Sequence, residues 1–394
     1  MNNKRDLLDE PENFSLALGG PLFQFFLRTR LSGPALELLL RRIIIITAIA
    51  WLPLLLLTAL QGNLVGGVQV PFLFAVDTHV RLLGVLPLLI AAELFVHDWS
   101  RSIIRQFLEG GLIADADRPR FNEIVASALR LRNSAVMELL LILLAFAAHR
   151  LAVLQVLNAS TWYGAWVDGA LHFTPAGYWA AWISLPLFRF IFLRWYFRIF
   201  IWYRFLWQVA RLPLRLNTLH PDRAGGLGFL NQSVFAFAPV LQAHTVLLSG
   251  AIANRIWHDG AQLPAFKLEI VGILLFLLLL VLIPLTFFSV SLTYAKRSGL
   301  QEYGNVASVY VRDFREKWLE GQNPEGEQLL GTGDIQSLAD LGNSLAVTDE
   351  TRLVPFSKED VFWLAVMLVA PLLPLLLFVF PLEEMVDRIF GLLL

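Results

Sequence analysis

The chain has 394 residues, of which 57% are hydrophobic and only 16% charged, against about 25% charged residues in soluble domains; much of its surface therefore faces lipid. A net charge of −1 lacks the concentrated basic footprint of a nucleic-acid binder. With no cysteine in the chain, disulfides, thiolate metal sites and cysteine nucleophiles are excluded.

The leader, residues 1–42, is polar and basic, carrying Lys4, Arg5, Arg28, Arg30, Arg41 and Arg42. Within it residues 14–40, including "PLFQFFLRTRL", read as an amphipathic segment lying on the membrane surface, or equally as a plain linker. The first long apolar run begins at Ile43, too far along for a cleavable signal peptide, and is expected to act as the insertion signal itself. A hydrocarbon core of about 30 Å needs roughly 20 apolar residues per helix. By that measure residues 43–60, 135–157, 271–290 and 361–380 are clear spans, and 82–96 (short), 176–197 and 231–253 complete a set of seven. The expected fold is an all-α polytopic membrane bundle.

Basic residues alternate between the connections. Residues 61–79 and 158–175 hold no Lys or Arg, whereas 97–134 hold Arg101, Arg105, Arg118, Arg120, Arg130 and Arg132. The positive-inside bias then puts the N-terminus in the cytoplasm. Residues 43–295 would form the main membrane domain and 296–358 a small cytoplasmic helical lid. In the lid, "EYGNVASVYVRDFREKWLE" continues the sixth span as a helix, and a glycine-rich linker follows. "DIQSLADLGNSL" then makes a second helix with Asp334 as its N-cap, its Ile335, Leu338, Leu341 and Leu345 turned to the membrane domain. Val354-Pro355-Phe356 leads into residues 359–394, the last span and a tail that ends outside unless it folds back along the surface.

Ionisable groups inside spans are costly and are functional candidates by default. Counting about 1.5 Å per residue puts His149, Arg150 and His244 roughly 20 Å in from the cytoplasmic side. Arg189 lies among Phe188, Phe190 and Ile191, too deep to reach water easily. It either lines a hydrated cavity and meets an anion or forms a structural ion pair, with Glu93 the expected partner. Glu138 lies within reach of Arg194 or Arg198. The two histidines read as membrane-embedded polar groups or, more plainly, as interhelical hydrogen-bond partners. Between Gly169 and Pro221 six arginines occur without one Asp or Glu, at spacings too irregular for a voltage sensor. Arg198 to Arg215 read as an interfacial anchor among aromatic residues. Glu93 and His97 share a helix face, but two ligands do not make a zinc site, and no metal or cofactor is expected.

"HPDRAGGLGFL" at 220–230 joins the fourth and fifth spans on the basic side. Pro221 would stop the preceding helix, and Gly225, Gly226 and Gly228 permit positive φ and close backbone approach. One reading is an anion-binding loop in which these glycines, with His220, Asp222 and Arg223, feed N–H groups and charge to a phosphate or carboxylate. A second is a rigid turn, with Asp222 bonding backbone N–H groups. A third makes His220 and Asp222 an acid/base pair, though no nucleophile lies nearby. Walker and dinucleotide patterns do not fit.

"HPDRAGGLGFL", "GDIQSLADLGNSL" and "RLVPFSKEDVFWLAVMLVAPLLPLLL" together resemble a family of uncharacterised bacterial multi-pass inner-membrane proteins, over roughly residues 180–380. The resemblance implies the helical architecture and a bacterial inner membrane; it brings no activity and no catalytic residue. Three functions compete. The first is a channel or transporter for an anion or anionic solute. The second is a non-transporting anchor or signalling subunit that binds a cytoplasmic partner, lipid headgroups or a second copy. The third is a lipid-modifying enzyme built on His220 and Asp222.

Overall fold

The computed structural model describes residues 14–28, 38–153, 161–167, 170–321, 328–329 and 331–378. The tail after Phe378, and the side chains of His149 and Arg150, lie outside the described residues. Among the described residues the chain is an all-α membrane bundle with one small β-hairpin.

Ten helices follow one another. They are α1 (Pro21–Arg28), α2 (Leu39–Leu60), α3 (Val76–Glu109), α4 (Arg118–Arg132) and α5 (Ala135–Val153), then α6 (Pro175–Val209), α7 (Gly228–Asp259), α8 (Leu263–Trp318), α9 (Gly333–Asp349) and α10 (Lys358–Phe378). Strands β1 (Gly164–Val167) and β2 (Ala170–Phe173) pair antiparallel between α5 and α6, with Gly164 opposite Phe173. Six helices, namely α2, α3, α6, α7, α8 and α10, are long and apolar enough to cross a membrane. The expected third span, 135–157, is α5 as far as the described residues run, to Val153. Exposed Ile44, Leu52, Leu139, Leu143, Val271 and Leu275 give α2, α5 and α8 outer faces that only hydrocarbon solvates at no cost.

The helices run up and down, so their connections collect at two ends. At one end the turn after α3 meets the long loop after α6, where the Arg215 N–H donates to the Leu112 carbonyl at 2.9 Å. At the other, the connection after α2 meets the hairpin, where the Trp162 N–H donates to Val70 at 3.0 Å. The first is the arginine-rich end and the second the hairpin end.

Three departures from expectation have local causes. The short second span is a 34-residue helix, because its flanking polar residues keep helical backbone on both sides of the apolar run. The fourth span continues to Val209 and stops there rather than at Pro221; Pro213 lies just downstream and disfavours helix in the residue before it. The "DIQSLADLGNSL" helix packs along the outward extension of α8 rather than on the membrane domain, and Ile335 stays exposed. Its N-cap is Thr332, with Asp334 in the first turn. There Asp334 accepts from Lys317 Nζ at 3.0 Å and Trp318 Nε1 at 2.8 Å, which ties the tip of the α8–α9 pair and holds its carboxyl below the usual range.

The leader departs most. Residues 14–20 do not lie on the surface but thread into the bundle as a buried strap. Phe14 stacks on Phe205 of α6, ring centroids 5.5 Å apart. The Ser15 hydroxyl accepts from the Ala17 and Leu18 N–H groups, so the strap turns without a helix. The Leu16 N–H donates to Ser100, and the Ser15, Ala17 and Gly19 carbonyls are taken by the cluster described below.

Candidate functional site: an arginine-lined cavity

Two of the spans carry a wide, π-type turn: Val80–Val85 in α3 and Ala180–Ser184 in α6. Each is followed at once by a Leu-Pro-Leu step, at Pro87 and Pro186. A proline inside a helix lacks an N–H and its ring crowds the carbonyl four residues back, so the helix widens there. Wide turns of this kind recur at functional sites, and these two face one cavity.

The cavity has a volume of about 580 Å³ and lies at the hairpin end among α2, α3, α6 and α7, with Thr161, Trp162 and Tyr163 over it. Its wall includes Arg81 and Leu82 from the first wide turn, Ala180 and Ser184 from the second, and Arg189 one turn beyond Leu185. Gly177 lets the hairpin sit against the start of α6, since a Cβ there would collide with the Tyr163 carbonyl. Gly250 does the same for α3 and α7: a Cβ would lie 2.8 Å from Val80.

Arg189 is fourteen residues after Pro175, about 21 Å along α6 at 1.5 Å per residue. Its Nη1 is buried and has no hydrogen-bond partner among the described residues, and Arg189 takes part in no ion pair there. The expected pairing with Glu93 does not form. Arg81 is close enough to Arg189 to repel it, and only Arg81 has a carboxylate, Asp77 at 3.4 Å. The Oδ1 atom of Asn254, on the same wall, is also buried without a partner. Tyr163 completes the polar set: burial pushes its phenol above the usual value, against the pull of Arg189 and Arg81. It therefore remains a neutral hydroxyl donor at neutral pH. A buried, unmatched donor costs about 1–3 kcal/mol, more when charged. Arg189 is half-buried, and it and Arg81 stand on one wall with a single carboxylate, Asp77, between them.

The chain matches no family model, no curated protein and no solved structure.

Glu93 serves a different centre, toward the arginine-rich end. It bonds Arg42 at 2.5 Å and Arg198 at 2.8 Å, with Arg194 at 3.5 Å. Arg194 also reaches Glu138 at 3.7 Å, as its level in the membrane suggested. Arg198 is 3% exposed, so it is a buried structural cation rather than an interfacial anchor. The surplus positive charge is turned on the strap: Arg198 donates to the Ala17 carbonyl, Arg194 to Gly19 and Arg132 to Ser15, at 3.0, 3.1 and 2.5 Å. Glu138 accepts from the Leu22 N–H and Asn133 from Gly20. His97 bonds the Ser15 hydroxyl at 2.8 Å. Further along α6, Arg204 reaches Ser127, and Arg211 stacks 3.6 Å from the Trp207 ring centroid. These two fit the interfacial role.

His244 stands apart from the cavity. Its Nε2 meets the Tyr196 hydroxyl at 2.7 Å and its Nδ1 the Val240 carbonyl at 2.7 Å. A carbonyl only accepts, so Nδ1 carries the proton and Nε2 receives one from tyrosine. This is an interhelical hydrogen bond between α6 and α7.

In the His220-Pro221-Asp222 loop the glycines do form a nest for an anion, and the anion is Asp222 itself. Its carboxylate accepts from the Ala224, Gly226 and Gly228 N–H groups at 2.8, 3.1 and 2.7 Å, and His220 Nδ1 lies 2.8 Å from it. Burial would raise the Asp222 carboxyl, but these donors outweigh it and hold it below the usual range. Gly225 and Gly226 adopt φ of 66° and 93°, and Arg223 φ of 52°. The donors expected for an external phosphate are thus spent on the turn. The loop in turn grips the lid: Arg352 donates to the Asp222 carbonyl at 2.7 Å, Arg223 pairs with Glu350 at 3.1 Å, and Thr351 reaches Thr218. Lys296 bonds Asp349 from α8.

Arg189 and His244 were legible as intramembrane polar groups, but Arg81, Tyr163 and Asn254 were missed. Leu-Pro-Leu follows both wide turns, at 86–88 and 185–187, but it also stands at 52–54 inside the regular helix α2, so the local sequence did not mark them.

Proposed function

We propose that this integral membrane protein binds an anion in the Arg189 cavity, reached from the hairpin end, as part of a channel or transporter. The observation that carries this reading is Arg189, a guanidinium with no acceptor among the described residues, on the wall of a cavity of about 580 Å³. The strap is packed among the helices toward the arginine-rich end, so passage in this proposal requires that end to open in an alternate state. In keeping with the positive-inside bias and the family resemblance, the arginine-rich end faces the cytoplasm of a bacterial cell and the cavity faces outward. Proteoliposomes holding the full chain should conduct or exchange an anion. Arg189→Gln should reduce that flux at least tenfold while the protein keeps its helical content and elution profile. Unchanged flux in the variant, or none in the parent protein, removes the proposal.

One observation favours a second reading, an anchor or signalling subunit. The α8–α9 pair stands out from the bundle with Val306 and Val309 exposed on one side of α8, a face for a cytoplasmic protein or a second copy. Deleting residues 321–346 should then lose a co-purifying partner without unfolding the spans.

A further inference from the structure

The cavity carries information about which anion it takes. The inference drawn from it rests on the anion-site reading above. Arg189 and Arg81 face a single carboxylate between them, Asp77, which leaves one positive charge to neutralise. At the end of α7, Arg255 has its own partner in Glu269 at 3.9 Å, and Asp259 adds a negative charge that disfavours a second anion. In a poorly solvated cavity each uncompensated charge is costly, so a monoanion fits and a dianion leaves one charge exposed to Asp77 and Asp259. Arg189 presents a planar fork suited to a carboxylate, and the neutral Tyr163 hydroxyl is available to the same group.

Between these polar groups the wall is apolar: Leu54, Leu82, Trp162, Phe188 and Leu247. An inorganic ion gains nothing from such a surface, whereas a hydrocarbon or aromatic body does. The volume lies within the range that houses drug-sized ligands, about 300–1,000 Å³, far more than a halide or acetate fills.

We infer that the physiological ligand is an organic monocarboxylate with an apolar body, its carboxylate at Arg189 and its tail against Phe188, Trp162 and Leu247. The alternative of an inorganic polyanion is disfavoured by the same charge count and the same wall.

The test is isothermal titration calorimetry on the full chain in lipid nanodiscs, with acetate, butanoate, hexanoate, benzoate, chloride and sulfate as probes. Affinity should rise along the acetate–hexanoate series, by up to roughly fourfold per added methylene, with sulfate the weakest. Phe188→Ala should flatten the series without abolishing acetate binding. Arg189→Gln should weaken every probe at least tenfold, and Arg189→Lys should restore part of it in a charge-bearing protein. A flat series, or sulfate as tight as hexanoate, overturns this inference while Arg189-dependent binding keeps the anion site. Hexanoate binding indifferent to Arg189→Gln, or no binding of any probe, overturns both.

Discussion

Replacing Asp222 by Asn tests how the loop after α6 is built. The carboxylate accepts two N–H groups on Oδ1 and one on Oδ2, the last from Gly228 at 2.7 Å. An Asn amide oxygen can stay where Oδ1 sits, but its NH₂ then points at the Gly228 N–H, donor against donor. One hydrogen bond to a charged group is lost, worth about 1.5–3 kcal/mol; with the Asp222 side chain 20% exposed, water softens the loss to about 2 kcal/mol. Native-state hydrogen exchange reads such local opening, and at about 1.4 kcal/mol per factor of ten the Ala224, Gly226 and Gly228 amides should exchange about thirtyfold faster. The Arg352 amide, which donates to the Arg223 carbonyl at 2.7 Å, should accelerate with them, because the loop holds the lid. The pH dependence has a definite sign. The folded carboxyl lies below its ordinary value, so its stabilisation is complete above about pH 4 and fades as pH falls through the lowered folded value. Unchanged exchange in the variant would refute the nest, and faster exchange confined to 222–228 would refute the coupling to the lid.

Other perturbations discriminate equally well. Glu93→Gln leaves Arg42, Arg194 and Arg198 buried around a neutral amide; losing one partner of a buried ionic group costs about 3–5 kcal/mol, visible as a marked fall in melting temperature in detergent, and a change of a degree or less would contradict the cluster's role. Gly19→Ala puts a Cβ into the Arg132 guanidinium at a φ of 141°, so the strap should loosen. Because the chain has no cysteine, a single Leu16→Cys probe should react faster with maleimide in that background, and equal rates would argue against the strap. Gly299→Val should strain the junction of α8, the loop and α9, where even a Cβ would lie 2.7 Å from Thr218 Oγ1 and 3.0 Å from Thr348. Overpacking of this kind costs about 1–3 kcal/mol and should speed amide exchange along α9.

Hydropathy and charge were enough to specify an all-α membrane bundle, the places of its spans and the helix that carries α8 beyond the bilayer, because hydrocarbon leaves the backbone few choices and the apolar runs are long. The same reading allowed Asp222 two roles, receiver of backbone N–H groups or companion to a bound anion; only the folded loop put its carboxylate in the nest. The choice of Glu93's partner was likewise beyond the reach of sequence. Level along a helix can be counted, but the direction a side chain takes around the axis changes by about 100° per residue, so Arg189 and Arg198 on one helix serve different centres. Nor does any local pattern announce that residues 14–20 enter the bundle, since their burial depends on arginines more than a hundred positions away that offer donors to their carbonyls. Span and composition are local properties, written into consecutive residues. The unmatched guanidinium in its cavity is a property of four helices and a hairpin meeting, and it exists only once they have packed.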